Sequence, residues 1–196
     1  MQHGWVANNR SQRISVWLLL IGWLSSPGIL QAKETYFTVS DASTRLSDGV
    51  YLLDASIDFR FSDAAMEALL NGIPLVLEVQ IKVERSREWL WTKTIAALSQ
   101  RYRLQYHALS ERYVVHFLNT DLRQSFARLD DALLALGEVH EFPMLDRRLL
   151  QDGDQYTVGL RATLVVEELP TPIRLWAYAA EQWRLDSPWY SWQLQP

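Results

Sequence analysis

The sequence predicts a mainly β domain of the α+β class: an antiparallel β-sandwich or strongly curved sheet of about seven or eight strands, with two short helices packed on it. Long stretches alternate apolar and polar residues, turn signals separate these stretches, and no regular strand–helix alternation suggests a parallel sheet. The 196 residues include no cysteine. Disulfides and thiolate metal sites are therefore excluded, and the apolar core alone must hold the fold.

The N-terminus has the pattern of a secretory signal peptide. Two arginines and no acidic residue precede an apolar run, and the breakers Ser-Ser-Pro-Gly follow before Ala32. This order predicts a cleaved signal peptide over residues 1–32 and a single β-rich domain of unknown function over residues 33–196. The alternative is an inner-membrane anchor through residues 14–30. We favour cleavage because the breakers interrupt the apolar run before it reaches the roughly 20 residues that a spanning helix needs.

Two long amphipathic strands and a short helix are predicted in the first half of the domain. GVYLLDASIDFRF alternates with a period of two, and PLVLEVQIKVE does the same. Between them, SDAAMEALLNG predicts a helix that Ser62 caps and Asn71-Gly72 ends. We expect the apolar side of both strands to face the core.

A third strand is predicted to begin near Arg87, and RYRLQYHALSERYVVHF then predicts a β-hairpin. If Leu109–Arg112 form a loop with an even number of residues, apolar residues meet apolar partners, with Ala108 opposite Tyr113. The same pairing places Tyr106 opposite Val115 and Leu104 opposite Phe117. The alternation is thus first of all the pattern of a hairpin.

This predicted register makes His107 and His116 diagonal neighbours on the outer face, roughly 7 Å apart. Two histidines could bind a metal ion only with one or two more ligands. The sequence fixes no third ligand, and it does not place His140. We therefore predict no metal site.

The second half of the domain begins with a change of period. SFARLDDALLALG predicts an amphipathic helix that Ser125 caps and Gly137 ends. A linker through His140 and Pro143 leads to LLQDGDQYTVGLRATLVV, in which Asp152-Gly153 marks a turn before another strand.

Charge is distributed unevenly along the chain. The formal net charge is -4, or -6 without residues 1–32, so a nucleic-acid partner is not expected. Residues 82–112 nevertheless carry a local balance of +4. This asymmetry suggests a partner-binding face, with a merely solvated strand face as the alternative. The candidate residues are Arg101, Arg103, His107, Arg112 and His116.

The C-terminal stretch follows Pro170 and Pro172, which break the chain, and it is rich in aromatic residues. Its tryptophans are Trp176, Trp183, Trp189 and Trp192. Such density favours packing along a sheet edge or over a core opening. The alternative is a binding groove for lipid headgroups or glycans.

Motifs of known catalytic sites are missing from the sequence. It contains no Gly-rich phosphate loop, no Gly-x-Ser-x-Gly and no His-Glu-x-x-His. Asp54 and Asp58 would lie about 13 Å apart on a strand, beyond the distance that glycoside hydrolysis uses. We predict a protein that is not an enzyme and needs no cofactor, and an unrecognised hydrolase is the less favoured alternative.

Several phrases resemble an uncharacterised proteobacterial family of exported proteins of about 190–200 residues, a domain of unknown function. They include VYLLDASIDFRFSDAAMEALLNG, RYRLQYHALSERYVVHFLNT, SFARLDDALLALG and WRLDSPWYSWQL, and the resemblance covers about Tyr36 to Leu194. The resemblance implies an exported protein, and it assigns no catalytic residue to this chain. Genes of this family often lie beside a nitrogen-regulation-type sensor kinase, which implies a role in envelope signalling.

We therefore expect a non-enzymatic periplasmic interaction module. Its partner would be a membrane or periplasmic protein, with a sensor kinase as the implied example. The alternative is an envelope protein that binds lipid headgroups or glycans through the C-terminal tryptophans.

Overall fold

The computed structural model describes residues 36–85 and 92–194, which form two antiparallel β-sheets. These ranges contain nine strands and three α-helices. The predicted signal peptide over residues 1–32 lies outside them, as does the predicted strand start near Arg87. No helix within the described ranges is long and apolar enough to cross a membrane.

The elements follow one another from Phe37 to Gln193. The strands are β1 (Phe37–Ser47), β2 (Val50–Phe59), β3 (Leu75–Arg85), β4 (Lys93–His107), β5 (Arg112–Phe117), β6 (Leu122–Phe126), β7 (Glu138–Asp146), β8 (Tyr156–Leu164) and β9 (Tyr190–Gln193). The helices are α1 (Asp63–Leu70), α2 (Leu129–Gly137) and α3 (Thr171–Ala179). The small sheet has the strand order β1-β2-β7, and the large sheet has the order β6-β5-β4-β3-β8-β9.

The core lies between the two sheets. Alternate residues of β2 and β3 are buried, as their period of two predicted. Strand β1 of the small sheet contacts β8 and β9 of the large sheet, and the Trp192 Nε1–H donates a hydrogen bond to Thr44 Oγ1 at 3.2 Å. This arrangement confirms the predicted sandwich-like fold class, with nine strands in the described ranges instead of seven or eight.

Strands β1 and β2 join through a two-residue turn. Asp48 and Gly49 have φ angles of 50° and 81°, and Ser47 pairs with Val50. Positive φ at both central residues is the signature of a type I′ turn, whose twist suits a hairpin.

Helix α1 confirms the predicted cap. Ser62 Oγ accepts a hydrogen bond from the Ala65 N–H at 3.3 Å and donates one to the Gln182 carbonyl at 2.7 Å. One hydroxyl thus caps the helix and ties it to a short 3₁₀ helix, Glu181–Trp183.

Helix α2 begins later than the sequence predicted. Ser125 lies in β6, and Arg128 occupies the N-cap position without a side-chain cap bond. The helix contacts β2 and β7 of the small sheet and β5 and β6 of the large sheet. A Cβ at Gly137 would lie 2.1 Å from the Ile57 carbonyl oxygen, so only glycine permits this close approach.

Two further expectations are corrected. The predicted linker through His140 and Pro143 is strand β7, which tolerates a proline because it is an edge strand of the small sheet. Pro170 and Pro172 begin the third helix, α3, because the first turn of a helix needs no N–H donors from them.

Candidate partner-binding face

The β4–β5 hairpin forms as predicted but in a different register. Tyr106 pairs with Tyr113, and Tyr102 pairs with Phe117. The loop has an even number of residues, and apolar residues face apolar residues, but each predicted partner is wrong by two positions. The observed register places aromatic rings together, with centroids 4.9 Å and 5.4 Å apart in these two pairs.

This register separates the two histidines. His107 pairs with Arg112 and His116 pairs with Arg103, so the predicted diagonal contact between His107 and His116 is wrong. His116 Nε2 instead lies 2.5 Å from Asp121 Oδ1. Within the described ranges, no group of three or more histidine, aspartate or glutamate side chains could hold a metal ion.

The outer side of β4, β5 and β6 forms a surface that we call the basic face. Its members are Arg103, His107, Arg112, His116 and Arg123. A continuous row crosses the three strands, because Arg103 pairs with His116 and His116 pairs with Arg123. Arg112 is fixed by hydrogen bonds to Ser125 Oγ at 2.6 Å and to the Ser125 carbonyl at 2.7 Å.

Negative charge is scarce on the basic face. Among the described residues, Asp121 is the one carboxylate within 4 Å of its cationic groups, at 3.9 Å from Arg123 Nη2 and close to His116. Arg103 makes no side-chain hydrogen bond or ion pair with any described residue. Of the three guanidinium groups, only that of Arg123 lies within 4 Å of a carboxylate of the described residues.

Arg101 differs from the other predicted residues. It lies on the same side of β4 as Arg103, but its guanidinium contacts Glu168 at 2.9 Å and Glu78 at 3.9 Å. Its charge is thus neutralised within the chain. The other four predicted residues lie together on the basic face. Arg101 is not a member of it, because its charge is paired with Glu168 and Glu78.

Sequence reasoning missed Arg123 as a member of this face. Residues 122–126 form β6, which was not recognised because it is only five residues long and mostly exposed. The available signal was the polar alternation of DLRQSF directly after the hairpin. β6 ends the large sheet, so its outer backbone edge pairs with no strand among the described residues.

The four C-terminal tryptophans do not form one site. Trp183 is buried in the core, and Trp192 hydrogen-bonds across to β1. Trp189 lies on the outer side of the large sheet, where Lys82 Nζ is 4.4 Å from its ring. Trp176 is on α3 and 78% exposed.

Trp176 belongs to an exposed apolar surface of α3, which we call the aromatic helix face. Its other members, Leu175 and Tyr178, are 68% and 53% exposed. Apolar side chains this exposed on one short helix are more typical of contact surfaces than of a packed core.

A family model described as "Domain of unknown function (DUF4390)" matches residues 34–193. No curated protein and no solved structure gives a significant match.

Proposed function

The chain belongs to the DUF4390 family of unknown function, and we propose that it is a non-enzymatic interaction module that binds an acidic surface of another protein through the basic face. One observation carries this proposal. Arg103, Arg112 and Arg123 lie on neighbouring strands, and among the described residues Asp121, beside Arg123, is the one carboxylate within 4 Å of any of them.

The chemistry of the basic face suits a protein partner. A guanidinium group presents a planar set of donors that matches a carboxylate, so three of them favour a surface rich in aspartate and glutamate. Opposite charges across an interface accelerate association and select the partner. The rest of the chain is acidic, so the basic face would also orient the molecule as it approaches.

The proposed location is the periplasm, reached by cleavage after Ala32. The N-terminal pattern of arginines, apolar run and breakers supports this proposal. N-terminal sequencing of the protein from its native host tests it. Lys33 as the first residue is the expected result, whereas a chain that retains residues 1–32 in the inner membrane would show the anchored alternative.

The proposed partner is a membrane or periplasmic protein, with an envelope sensor kinase as the class that the family resemblance suggests. In-cell photo-crosslinking tests this directly. A photo-reactive amino acid at His107, an exposed position of the basic face, should capture one abundant partner that mass spectrometry identifies.

Charge reversal shows whether the basic face makes the contact. Arg103→Glu combined with Arg123→Glu should reduce capture by about tenfold or more, because like charges then meet across the interface. Arg60→Glu combined with Arg184→Glu is the matched control, since both arginines are exposed, lie outside the basic face and give the same change in net charge. Undiminished capture by the first variant, or an equal loss in the control, rules out the basic face.

The aromatic helix face favours a second candidate function, the binding of lipid at the envelope. Trp176 is suited to a membrane interface because its ring is apolar and its N–H is polar. Co-sedimentation with vesicles of phosphatidylethanolamine and phosphatidylglycerol tests this. Trp176→Ala should abolish sedimentation, and Trp189→Ala should not; a chain that never sediments with vesicles excludes this function.

A further inference from the structure

A cavity of about 190 Å³ lies beside β2 and β8. Its polar walls come from Tyr51, Tyr156, Arg147 and the turn over residues 151–154. Leu150 and Leu194 add apolar surface. The cavity is formed by parts of the chain that do not include the basic face.

The hydroxyl of Tyr51 is the unusual group of this cavity. The Tyr51 side chain is fully buried, yet its hydroxyl has no hydrogen-bond partner among the described residues. A buried polar group without a partner destabilises the folded state, so nearly all such groups in proteins are satisfied. The unpaired Tyr51 hydroxyl therefore suggests that a bound ligand supplies its hydrogen-bond partner.

Arg147 brings a positive charge to the same wall. Arg147 lines the same cavity as Tyr51 and Tyr156. Arg147 Nη2 lies 2.5 Å from Asp152 Oδ1, but the Asp152 side chain is 91% exposed on a surface turn. An exposed carboxylate is readily replaced, because the solvent screens its attraction and hydrates it when it leaves.

The other polar groups of the wall are already satisfied. The Tyr156 hydroxyl accepts from the Gln151 N–H at 2.9 Å and donates to Asp154 Oδ2 at 3.3 Å. Asp154 also receives a hydrogen bond from Arg85 at 2.7 Å. The groups left for a ligand are thus the Tyr51 hydroxyl and, after displacement of Asp152, the Arg147 guanidinium.

We propose that this cavity is a binding site for a small monocarboxylate with an apolar body. The carboxylate of the ligand takes the place of Asp152 on Arg147 and accepts a hydrogen bond from the Tyr51 hydroxyl. Its apolar body lies against Leu150 and Leu194. The cavity holds roughly six water molecules at ~30 Å³ each, which corresponds to a ligand of the size of benzoate or hexanoate. This site is independent of the proposed protein-interaction function.

The competing explanation for the Tyr51 hydroxyl is an ordered buried water that serves as its partner. The two explanations differ in what Tyr51→Phe does to the ligand-free protein. If a structural water bonds the hydroxyl, its loss destabilises the fold. If the hydroxyl waits for a ligand, its removal leaves the melting temperature unchanged or raises it.

The experiment is an NMR titration of the ¹⁵N-labelled chain over residues 33–196 with benzoate and hexanoate, and with benzyl alcohol and hexanol as neutral controls. At least one acid should shift the amide signals of Gly153 and Leu194 with a dissociation constant of about 1 mM, as expected for a ligand of this size. The matching alcohol should bind about tenfold more weakly, because it lacks the charge that Arg147 recognises.

Four variants assign the contacts. Tyr51→Phe should weaken the binding of the acid about fivefold, and Arg147→Gln should abolish it. Asp152→Asn should strengthen it a few-fold, because the competing carboxylate is gone. Arg148→Gln is the matched control. It should leave the binding of the acid unchanged, because Arg148 bonds Asp146 and does not line the cavity.

Three results would overturn the proposal. One is the absence of shifts with either acid up to about 20 mM. Another is unchanged binding in Tyr51→Phe. The third is a ligand-free Tyr51→Phe protein that melts several degrees lower, since that would assign the hydroxyl to a structural water.

Discussion

The outer side of the small sheet and the basic face of the large sheet differ in how their charges are paired. On the small sheet, Arg45 contacts both Asp54 and Glu141, and His140 lies 3.6 Å from Glu138. On the basic face, by contrast, Asp121 beside Arg123 is the one carboxylate of the described residues within 4 Å of an arginine. Charges that are paired within the chain help to shape it, whereas charges left unpaired are available to another molecule.

The charge network of the small sheet has a visible structural role. Between Leu53 and Ala55 the pairing with β7 shifts, and Glu141 adopts a left-handed φ of 48°. The Asp54 carboxylate accepts a hydrogen bond from the Glu141 N–H at 3.0 Å, which holds this β-bulge. β4 and β5 pair regularly from Tyr102 to His107, so the arginines of the basic face support no comparable irregularity.

The first test of the comparison is to truncate one buried side chain beneath each of the two surfaces. Leu53 lies under the small sheet's network and Leu104 lies under the basic face, and both are fully buried. Leu53→Ala and Leu104→Ala should each lower the free energy of unfolding by about 3 kcal/mol, because each leaves a cavity. Urea denaturation measures this. A cost below about 1 kcal/mol at one site alone would show that the inner sides differ as well.

The next test concerns the helix that joins the two sheets. In Gly137→Ala the new methyl group would collide with the Ile57 carbonyl, so α2 must move away from β2. We expect a loss of about 2 kcal/mol in the free energy of unfolding.

Gly153→Ala is the informative control for that loss, because Gly153 has a positive φ of 85° but open space around it. It should cost about 1 kcal/mol through backbone strain alone. An equal cost at both sites would contradict the close approach of α2 to β2.

The sequence identified much of this architecture but not the location of the charges relative to one another. The period-2 pattern of β2, β3 and β8 and the Ser62 cap are local features, so they were predictable and are confirmed. β6 and β7 were missed because short or edge strands carry little apolar alternation. The hairpin register was wrong by two residues, since both registers satisfy the alternation and aromatic pairing selects between them.

For the same reason, the candidate site was only partly predictable. Four of its cations lie within one hairpin and could be read from local sequence. Arg123 joined them through the pairing of β5 with β6, and Arg101 was neutralised by Glu168, 67 residues away in sequence. Long-range pairing of this kind is set by the tertiary fold and leaves no local pattern.

A third, smaller effect is expected on the stability of the fold at acid pH, from Asp146 at the end of β7. Hydrogen bonds from the Arg148 side chain and backbone lower the pKa of Asp146 to about 2, from an ordinary value of 3.8. Because the pKa is depressed in the folded state, this carboxylate contributes stability above about pH 4 that is lost as the pH falls toward 2. Asp146→Asn should flatten the fall in melting temperature over this window. If the acid profile is unchanged, the Arg148 contact does not persist in solution.

The smallest effect is the sharpest test of the difference between the two faces. Arg45→Gln removes a paired cation and should cost about 0.5 kcal/mol, the size expected of an exposed ion-pair network. Arg103→Gln removes a cation that has no partner among the described residues, and it relieves repulsion from Arg123 across His116. It should therefore leave the free energy of unfolding unchanged or raise it by a few tenths of a kcal/mol.

Salt separates these two contributions from any change in packing. Raising the ionic strength from about 0.01 M to 1 M shortens the screening length from about 30 Å to 3 Å, which should remove most of the Arg45→Gln cost and any Arg103→Gln gain. Urea denaturation at both salt concentrations measures the pair. If Arg103→Gln instead destabilises the fold as much as Arg45→Gln, then Arg103 is engaged within the chain, and the basic face loses the unpaired charge on which its proposed role depends.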